Sequence, residues 1–406
     1  MPPKNNKTLI SIIFAAIIIL AGFGFPGEIS ATYYPTGNLI STNLLNGIGI
    51  VLSIDSFFAS TTLPSASTTL WVQFATTSTS GPWYAANGVL NATTSIANGT
   101  SSTSLSGLGW SGPNFYYKMY FKTTDTSKTP ALEEIRVYYT SNVAPTVSSV
   151  SLNGTNNITL NENTTKSVSA TGTVSDANGY ANISSVIGKI YRSGVGSDCS
   201  NDNNNCYSAA SCATSSCASN DCVATCSYNV QFYADPTDDG KYASSSGWTS
   251  QNWVAWIKAI DASNASSSAT NTSQTVDINT LPAVTVTNSI TYDSLNPDQN
   301  MTNLTKEVIA TTTGNIPIDL QIKGDNMTYG ATGTVAITNQ RYATSSVLWA
   351  SGNTATSTYQ NFEVDLGKPT SHPSTSTDIV YWGWAVPSGT PVGTYTGTDY
   401  FNPVED

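Results

Sequence analysis

Hydrophobic and polar residues alternate with a period of two along much of this chain. Leu70, Val72 and Phe74 alternate with Trp71 and Gln73, and a period of two is typical of a half-buried β-strand. The same pattern predicts further strands at 115–122, 134–139, 166–174, 184–191, 227–233, 252–260, 308–312, 316–322, 335–337, 362–366 and 379–386.

Clusters of Ser, Thr, Gly, Asn and Pro separate these strands and predict turns and loops. The strands group into three segments of a size that is normal for a β-sandwich. We expect an N-terminal β-sandwich at 32–141, an immunoglobulin-like β-sandwich at 146–281 and a C-terminal immunoglobulin-like β-sandwich at 282–406. The predicted fold class is all-β, with three tandem β-sandwich domains of immunoglobulin-like or jelly-roll-like type.

The N-terminus has the pattern of a secretory signal peptide. Lys4 and Lys7 precede an apolar run at 9–24, and Ala31 offers a small residue for cleavage. We expect residues 1–31 to be a signal peptide that is removed after Ala31. The alternative is an uncleaved N-terminal anchor.

Six cysteines lie close together and agree with export. An even number of cysteines in an exported chain predicts disulfides, with 15 pairings open, whereas a structural zinc site would show closely spaced C-x2-C pairs that this chain lacks. We expect a disulfide-braced loop at 199–226 and consider it a candidate partner contact. The cysteines are Cys199, Cys206, Cys212, Cys217, Cys222 and Cys226.

Composition and charge exclude several classes of protein. Of the 406 residues, 39% are hydrophobic and 10% aromatic, which is too apolar for a disordered chain. The formal net charge is −11, which argues against a nucleic-acid binder and against a polybasic membrane-surface protein. Only 10% of residues are charged, so Ser, Thr and Asn must supply the polar surface.

Several stretches resemble modules of surface proteins. Residues 36–45, with 114–118 and 129–135, resemble a module of exported, uncharacterised surface proteins of uncultivated microbes. The stretch from 173–179 through 255–261 resembles bacterial immunoglobulin-like and cadherin-like surface modules. Residues 314–320 and 387–395 are similar to the immunoglobulin-type spacers of surface and cell-wall proteins. These resemblances imply a fold type and a surface location.

Catalytic motifs are scarce. His372 is the only histidine and lies in a loop-like stretch, so it is more simply a surface residue than the base of a Ser–His pair. No G-x-S-x-G motif occurs, and no pair of carboxylates stands out. We therefore expect that the chain is not an enzyme, with an exported hydrolase as the alternative.

Acidic turns of the middle segment suggest a metal. Asp176 and Asn178 follow one predicted strand, and Asp261 follows another. In an immunoglobulin-like topology the two loops lie at the same end of the sandwich, where oxygen ligands suit calcium. The alternative is that Asp and Asn are ordinary turn-forming residues.

Aromatic residues occupy polar positions on two strands of the first segment. Tyr116 and Tyr120 alternate with the apolar residues of one strand, and Trp71 lies opposite the apolar face of another. Exposed together, these rings would bind a polysaccharide. Alternatively, another part of the chain covers them.

These observations favour a non-catalytic secreted or cell-surface protein that acts as an adhesin, stalk or surface-assembly component. The alternative function is carbohydrate binding by a lectin-like extracellular protein. The expected partner is a surface protein or a polysaccharide. We expect no contact with nucleic acid, and contact with the membrane only through an uncleaved N-terminal segment.

Overall fold

The computed structural model describes residues 12–13, 35–125, 127–209, 211–271, 275–331, 333–374 and 376–406. The chain divides into two units, of which the first ends at Val143 and the second begins at Ala144. Antiparallel sheets make up both units, so the predicted all-β fold of tandem β-sandwiches is confirmed. Apart from Ile12–Ile13, the predicted signal peptide lies outside the described residues. Within the described part, no helix has the length and apolar character needed to cross a membrane.

Two four-stranded sheets form the first unit. In chain order its strands are β1 Ile12–Ile13, β2 Thr36–Ile40, β3 Val51–Thr62, β4 Thr68–Ala75, β5 Thr94–Ile96, β6 Gly99–Ser104, β7 Tyr116–Thr123 and β8 Ala131–Ser141. One sheet has the strand order β1-β8-β3-β6 and the other has the order β2-β7-β4-β5.

The core of the first unit lies between these sheets. The ring of Phe57 on β3 contacts Phe74 on β4 and Tyr117 on β7, with centroid distances of 5.1 and 5.4 Å. The predicted core face is confirmed, because Leu70, Val72 and Phe74 are all fully buried. Successive side chains of a strand point to opposite faces, so Trp71 and Tyr120 project from the outer face of their sheet.

The second unit contains the remaining strands and the short helix α1 Lys241–Ser245. Short 3-10 turns occur at Asn153–Thr155, Tyr180–Asn182, Ile337–Asn339 and Trp349–Ser351, as one does at Ser106–Leu108 in the first unit. The strands are β9 Thr146–Leu152, β10 Thr165–Ser175, β11 Ile183–Arg192, β12 Cys206–Ala209, β13 Ala213–Ala218, β14 Asp221–Gln231, β15 Trp253–Asp261, β16 Ser266–Thr270, β17 Val284–Val286, β18 Gln299–Asn300, β19 Lys306–Thr312, β20 Ile318–Gly324, β21 Met327–Tyr329, β22 Gly333–Val335, β23 Gln340–Ala343, β24 Asn353–Thr354, β25 Gln360–Leu366, β26 Thr377–Val386 and β27 Asp399–Glu405.

Two hydrophobic cores organise the second unit. Sheets β13-β14-β10-β9 and β12-β11-β15-β16 enclose the first core, which contains the fully buried Trp253. Sheets β17-β19-β26-β23-β24 and β25-β20-β27 enclose the second, which contains the fully buried Trp382. We call these the middle and the C-terminal sandwich.

The Cys-rich stretch differs from the loop that the sequence predicts. Much of it is strand, because β12, β13 and the first half of β14 lie within it. Cys222, Ala224 and Cys226 alternate with more exposed residues and are buried in the core of the middle sandwich. Their small side chains are weakly hydrophobic, so the period of two is hard to recognise among Ser, Thr and Ala.

Candidate functional site

Trp71 and Tyr120 are cross-strand neighbours on the outer face of the sheet β2-β7-β4-β5. In the antiparallel register of β4 and β7, Trp71 lies directly opposite Tyr120. Side chains at opposed positions have Cβ atoms about 4.5–5.5 Å apart, so the two rings share one patch of surface. Tyr116 lies four residues before Tyr120 on β7, opposite Ala75.

Hydrogen bonds hold the Tyr120 ring in place. Its hydroxyl donates to Oε1 of Gln73 at 2.7 Å, and Nε2 of Gln73 donates to the carbonyl of Ala92 at 2.9 Å. Gln73 is only 4% exposed, although it lies on the outer face of its strand. A buried amide with partners at both ends fixes the phenol, which favours a pre-formed surface for a ligand.

A groove of about 340 Å³ opens beside the two rings. Trp71 and Tyr120 are both partly exposed, so their side chains are accessible from this groove. Tyr116, the third predicted aromatic residue, does not line it. The lining residues are Thr36, Gly37, Trp71, Thr93, Tyr120, Phe121 and Lys122.

Two lysines flank the Tyr120 ring along β7. Lys122 lines the groove, and Nζ of Lys118 lies 4.9 Å from the centroid of the Tyr120 ring. The alternation of Tyr and Lys over 116–122 is visible in the sequence. However, we did not predict a role for the lysines, because only the cross-strand register shows which of them reaches the groove.

The predicted calcium ligands lie close together at one end of the middle sandwich. Asp176 and Asp261 are both fully buried. Oδ1 of Asp176 accepts a hydrogen bond from the amide of Asn178 at 2.7 Å, and Oδ2 accepts one from Nδ2 of Asn182 at 3.2 Å. The carbonyl of Asn182 in turn accepts a hydrogen bond from the amide of Ala262, which connects the two loops.

Turn formation explains part of this arrangement. Oδ1 of Asp261 accepts hydrogen bonds from the amides of Ser263 and Ala265, both at 2.8 Å. Asp residues commonly stabilise turns by bonding to amides a few residues further on. Calcium binding at Asp176, Asn178 and Asp261 stays a prediction.

Three disulfides brace the middle sandwich. They join Cys199 to Cys206, Cys212 to Cys226 and Cys217 to Cys222, and the described residues include no free cysteine. The prediction of disulfides is confirmed. Disulfides of this density form and persist in an oxidising compartment.

A buried ion cluster joins the middle sandwich to the C-terminal sandwich. Nζ of Lys368, in the loop after β25, lies 3.2 Å from Oδ1 of Asp235, and Nε of Arg192 lies 3.2 Å from Oδ2 of the same carboxylate. The side chains of Lys368 and Asp235 are 8% and 6% exposed. Burial raises the pKa of the Asp235 carboxyl and lowers the pKa of the Lys368 ammonium, because both groups lose hydrating water.

Carbonyl and amide groups complete the surroundings of Lys368. Its ammonium donates to the carbonyl of Tyr233 at 2.6 Å and to Oδ1 of Asn204 at 3.3 Å. Asn204 lies in the loop that the Cys199–Cys206 disulfide closes. This part of the Cys-rich stretch, which we considered a partner contact, therefore packs on the neighbouring sandwich of the same chain.

Two further groups were candidates for chemistry. His372 packs its ring against Phe232, with the centroids 5.6 Å apart. Asp319, Glu363 and Asp406 bring carboxylate oxygens within 4.8 Å of one another on the C-terminal sandwich, although sequence reasoning gave no reason to group them. Two of these three acids are exposed, and such clusters are common on surfaces without a bound ion.

No protein-family model matches the chain, and no curated protein matches it. Solved structures with some likeness include the glycoside hydrolase domain of Endo-D from Streptococcus pneumoniae R6, at 10% identity and TM-score 0.18. That match covers 58% of this chain, which spans only 31% of the hydrolase structure. A DUF4785 family protein from Legionella pneumophila matches over 100% of this chain and 85% of its own, at 8% identity and TM-score 0.20.

A 1.5-MDa bacterial ice-binding adhesin is also similar, at 15% identity and TM-score 0.19, over 75% of this chain and 76% of its own. The prediction that the chain is not an enzyme is contradicted by the glycoside hydrolase domain among the matches, and it is withdrawn. With TM-scores at or below 0.20, these likenesses assign no reaction to the chain.

Proposed function

We propose that this chain is an extracellular surface adhesin that binds a saccharide in the groove beside Trp71 and Tyr120. The observation that carries the proposal is the direct pairing of these two rings at the mouth of a groove of about 340 Å³. Aromatic rings combine a large apolar face with low conformational entropy, and sugar rings present apolar C–H faces that can stack on them. Thr36 and Thr93 line the same groove.

The second unit supports a role in presenting the ligand-binding unit away from a surface. Its two sandwiches share the buried contact of Lys368 with Asp235, and Oγ1 of Thr313 donates to Glu162 at 2.8 Å elsewhere along the same boundary. Contacts at two separate places oppose bending between the sandwiches. The three disulfides fit an extracellular setting.

Glycan-array binding of the purified, oxidised chain tests the proposal. We expect Trp71→Ala and Tyr120→Ala each to weaken binding of the selected glycan at least tenfold. Tyr116→Ala is the matched control, because Tyr116 lies on the same face of the same strand without lining the groove. Circular dichroism and thermal melting establish that each variant is folded.

Two results would contradict the proposal. One is the absence of glycan binding by the folded, oxidised chain across a broad array. The other is a loss of binding in Tyr116→Ala that equals the loss in Tyr120→Ala. Tyr120→Phe keeps the ring and removes its hydrogen bond to Gln73, so we expect a loss of binding that is smaller than the loss in Tyr120→Ala.

A further inference from the structure

The groove of the first unit carries uncompensated positive charge. Lys118 and Lys122 lie on either side of Tyr120 on the outer face of β7, two residues from it in each direction. Two residues of a strand span roughly 6.8 Å, so Lys122 can reach a ligand that lies in the groove beside Tyr120, while the ammonium of Lys118 lies 4.9 Å from the centroid of the Tyr120 ring. Lys122 is exposed and Lys118 is partly exposed.

The strands on each side of β7 offer no charge to neutralise these lysines. Thr36 and Thr69 lie opposite Lys122, and Ile40 and Gln73 lie opposite Lys118. All four neighbours are uncharged. Among the described residues, the ion pairs use Arg136, Arg192, Lys306 and Lys368, and neither Lys118 nor Lys122 takes part in one.

This local charge is opposite in sign to that of the protein as a whole. The chain has a formal net charge of −11 and only 15 Lys and Arg residues. The excess of acid lies outside residues 35–143, which contain four basic and four acidic residues, so within this unit an anionic ligand meets no net repulsion and is attracted to the two lysines beside the rings. A local excess of one charge raises the association rate and the selectivity for a ligand of the opposite charge.

We propose that the groove binds an acidic saccharide, with the sugar ring on Trp71 and Tyr120 and its carboxylate or sulfate on Lys122. This inference rests on the proposed saccharide function and names the class of its ligand. The groove lining contains no arginine, so the two-pronged hydrogen bonding that arginine gives to phosphate is absent from the lining residues. A single ammonium acts as a point charge, which suits the one anionic group of each sugar unit.

Matched pairs of ligands test the charge without changing the sugar. The first pair is an oligogalacturonate and its fully methyl-esterified form, and the second is dextran sulfate and dextran. Calorimetry with the full, oxidised chain measures each dissociation constant at low and high sodium chloride. We expect at least one acidic member to bind tenfold or more tightly than its neutral partner, with an affinity that falls as salt rises.

Substitution at Lys122 identifies the cation. We expect Lys122→Gln to weaken binding of the acidic ligand about tenfold and binding of the neutral partner by much less, whereas Lys122→Arg retains most of the affinity for the acidic ligand. Lys258→Gln, on β15 of the second unit, makes the same change in net charge away from the groove and should have no effect.

Two outcomes overturn the inference, and they differ in what they leave standing. If neutral saccharides bind at the groove as tightly as acidic ones, the ligand class is wrong while the saccharide function stands. If no saccharide of either kind binds, both are wrong. An equal loss in Lys122→Gln and Lys258→Gln also overturns the inference, because the effect is then one of net charge alone.

Discussion

Lys368 of the C-terminal sandwich and Asp235 of the middle sandwich form an ion pair of 3.2 Å that is almost completely buried. Arg192 lies on the other side of the same carboxylate, so one anion is shared by two cations. The indole ring of Trp248 covers the guanidinium of Arg192 at 4.6 Å. Removal of the anion therefore leaves Lys368 and Arg192 without the carboxylate that they share.

We expect Asp235→Asn to lower the free energy of unfolding of the second unit by about 3–5 kcal/mol, as is usual when one partner of a buried ion pair is lost. Lys368→Met should cost less, because the pair of Arg192 and Asp235 remains neutral. Urea denaturation followed by tryptophan fluorescence measures both losses. A larger loss in Lys368→Met than in Asp235→Asn would contradict this account of the cluster.

The disulfides should contribute unequally to stability. Cys212 and Cys226 are separated by 14 residues, and Cys217 and Cys222 by only 5. The entropy of closing a loop in the unfolded chain grows with its length, which gives about 3 kcal/mol for the first disulfide and about 2 kcal/mol for the second. We expect the double variant Cys212→Ala, Cys226→Ala to be less stable in urea than the double variant Cys217→Ala, Cys222→Ala. The reverse order would show that native packing decides the difference.

Asp399 should make the stability of the C-terminal sandwich fall as the pH rises. Burial, and then the nearby Asp325, raise the pKa of Asp399 from 3.8 to about 7. At a pH between these two pKa values, Asp399 is ionised in the unfolded chain and protonated in the folded protein, so a rise in pH favours unfolding. The free energy of unfolding should fall by up to about 1.4 kcal/mol per pH unit across this window.

Asp399→Asn removes this dependence, because an amide resembles the neutral acid in shape and does not ionise. Urea denaturation between pH 4 and pH 8 compares the variant with the unsubstituted chain. Asp325→Asn should weaken the dependence without abolishing it, since Asp325 is the smaller of the two causes. Parallel profiles for Asp399→Asn and the unsubstituted chain would refute the assignment to Asp399.

Asp261 should stabilise its turn whether or not a metal is present. Its Oδ1 accepts two backbone amides, so we expect Asp261→Ala to cost about 1–3 kcal/mol in the presence of a chelator. The calcium prediction adds that millimolar calcium raises the melting temperature of the unsubstituted chain and not that of Asp261→Ala. Equal melting of the unsubstituted chain in calcium and in chelator would exclude a calcium contribution to stability.

The sequence predicts the strands and their inner faces better than the site. Leu70, Val72 and Phe74 alternate with Trp71 and Gln73, and this alternation predicts both the strand and its buried face. The pairing of Trp71 with Tyr120 depends on the register between strands that are far apart in the chain, which local periodicity does not contain. The contact of Lys368 with Asp235 is hidden for the same reason, since long-range packing alone brings together two loops 133 residues apart.

The joint between the two sandwiches also bears on mechanics. Lys368 connects them through Asp235, Tyr233 and Asn204 at one place, and Thr313 contacts Glu162 at another. Two domains that touch at one place can rotate about that contact. Contacts at two separate places resist rotation, because bending stretches one contact and compresses the other. Under fluid shear, these two attachments would therefore oppose bending between the middle and the C-terminal sandwich.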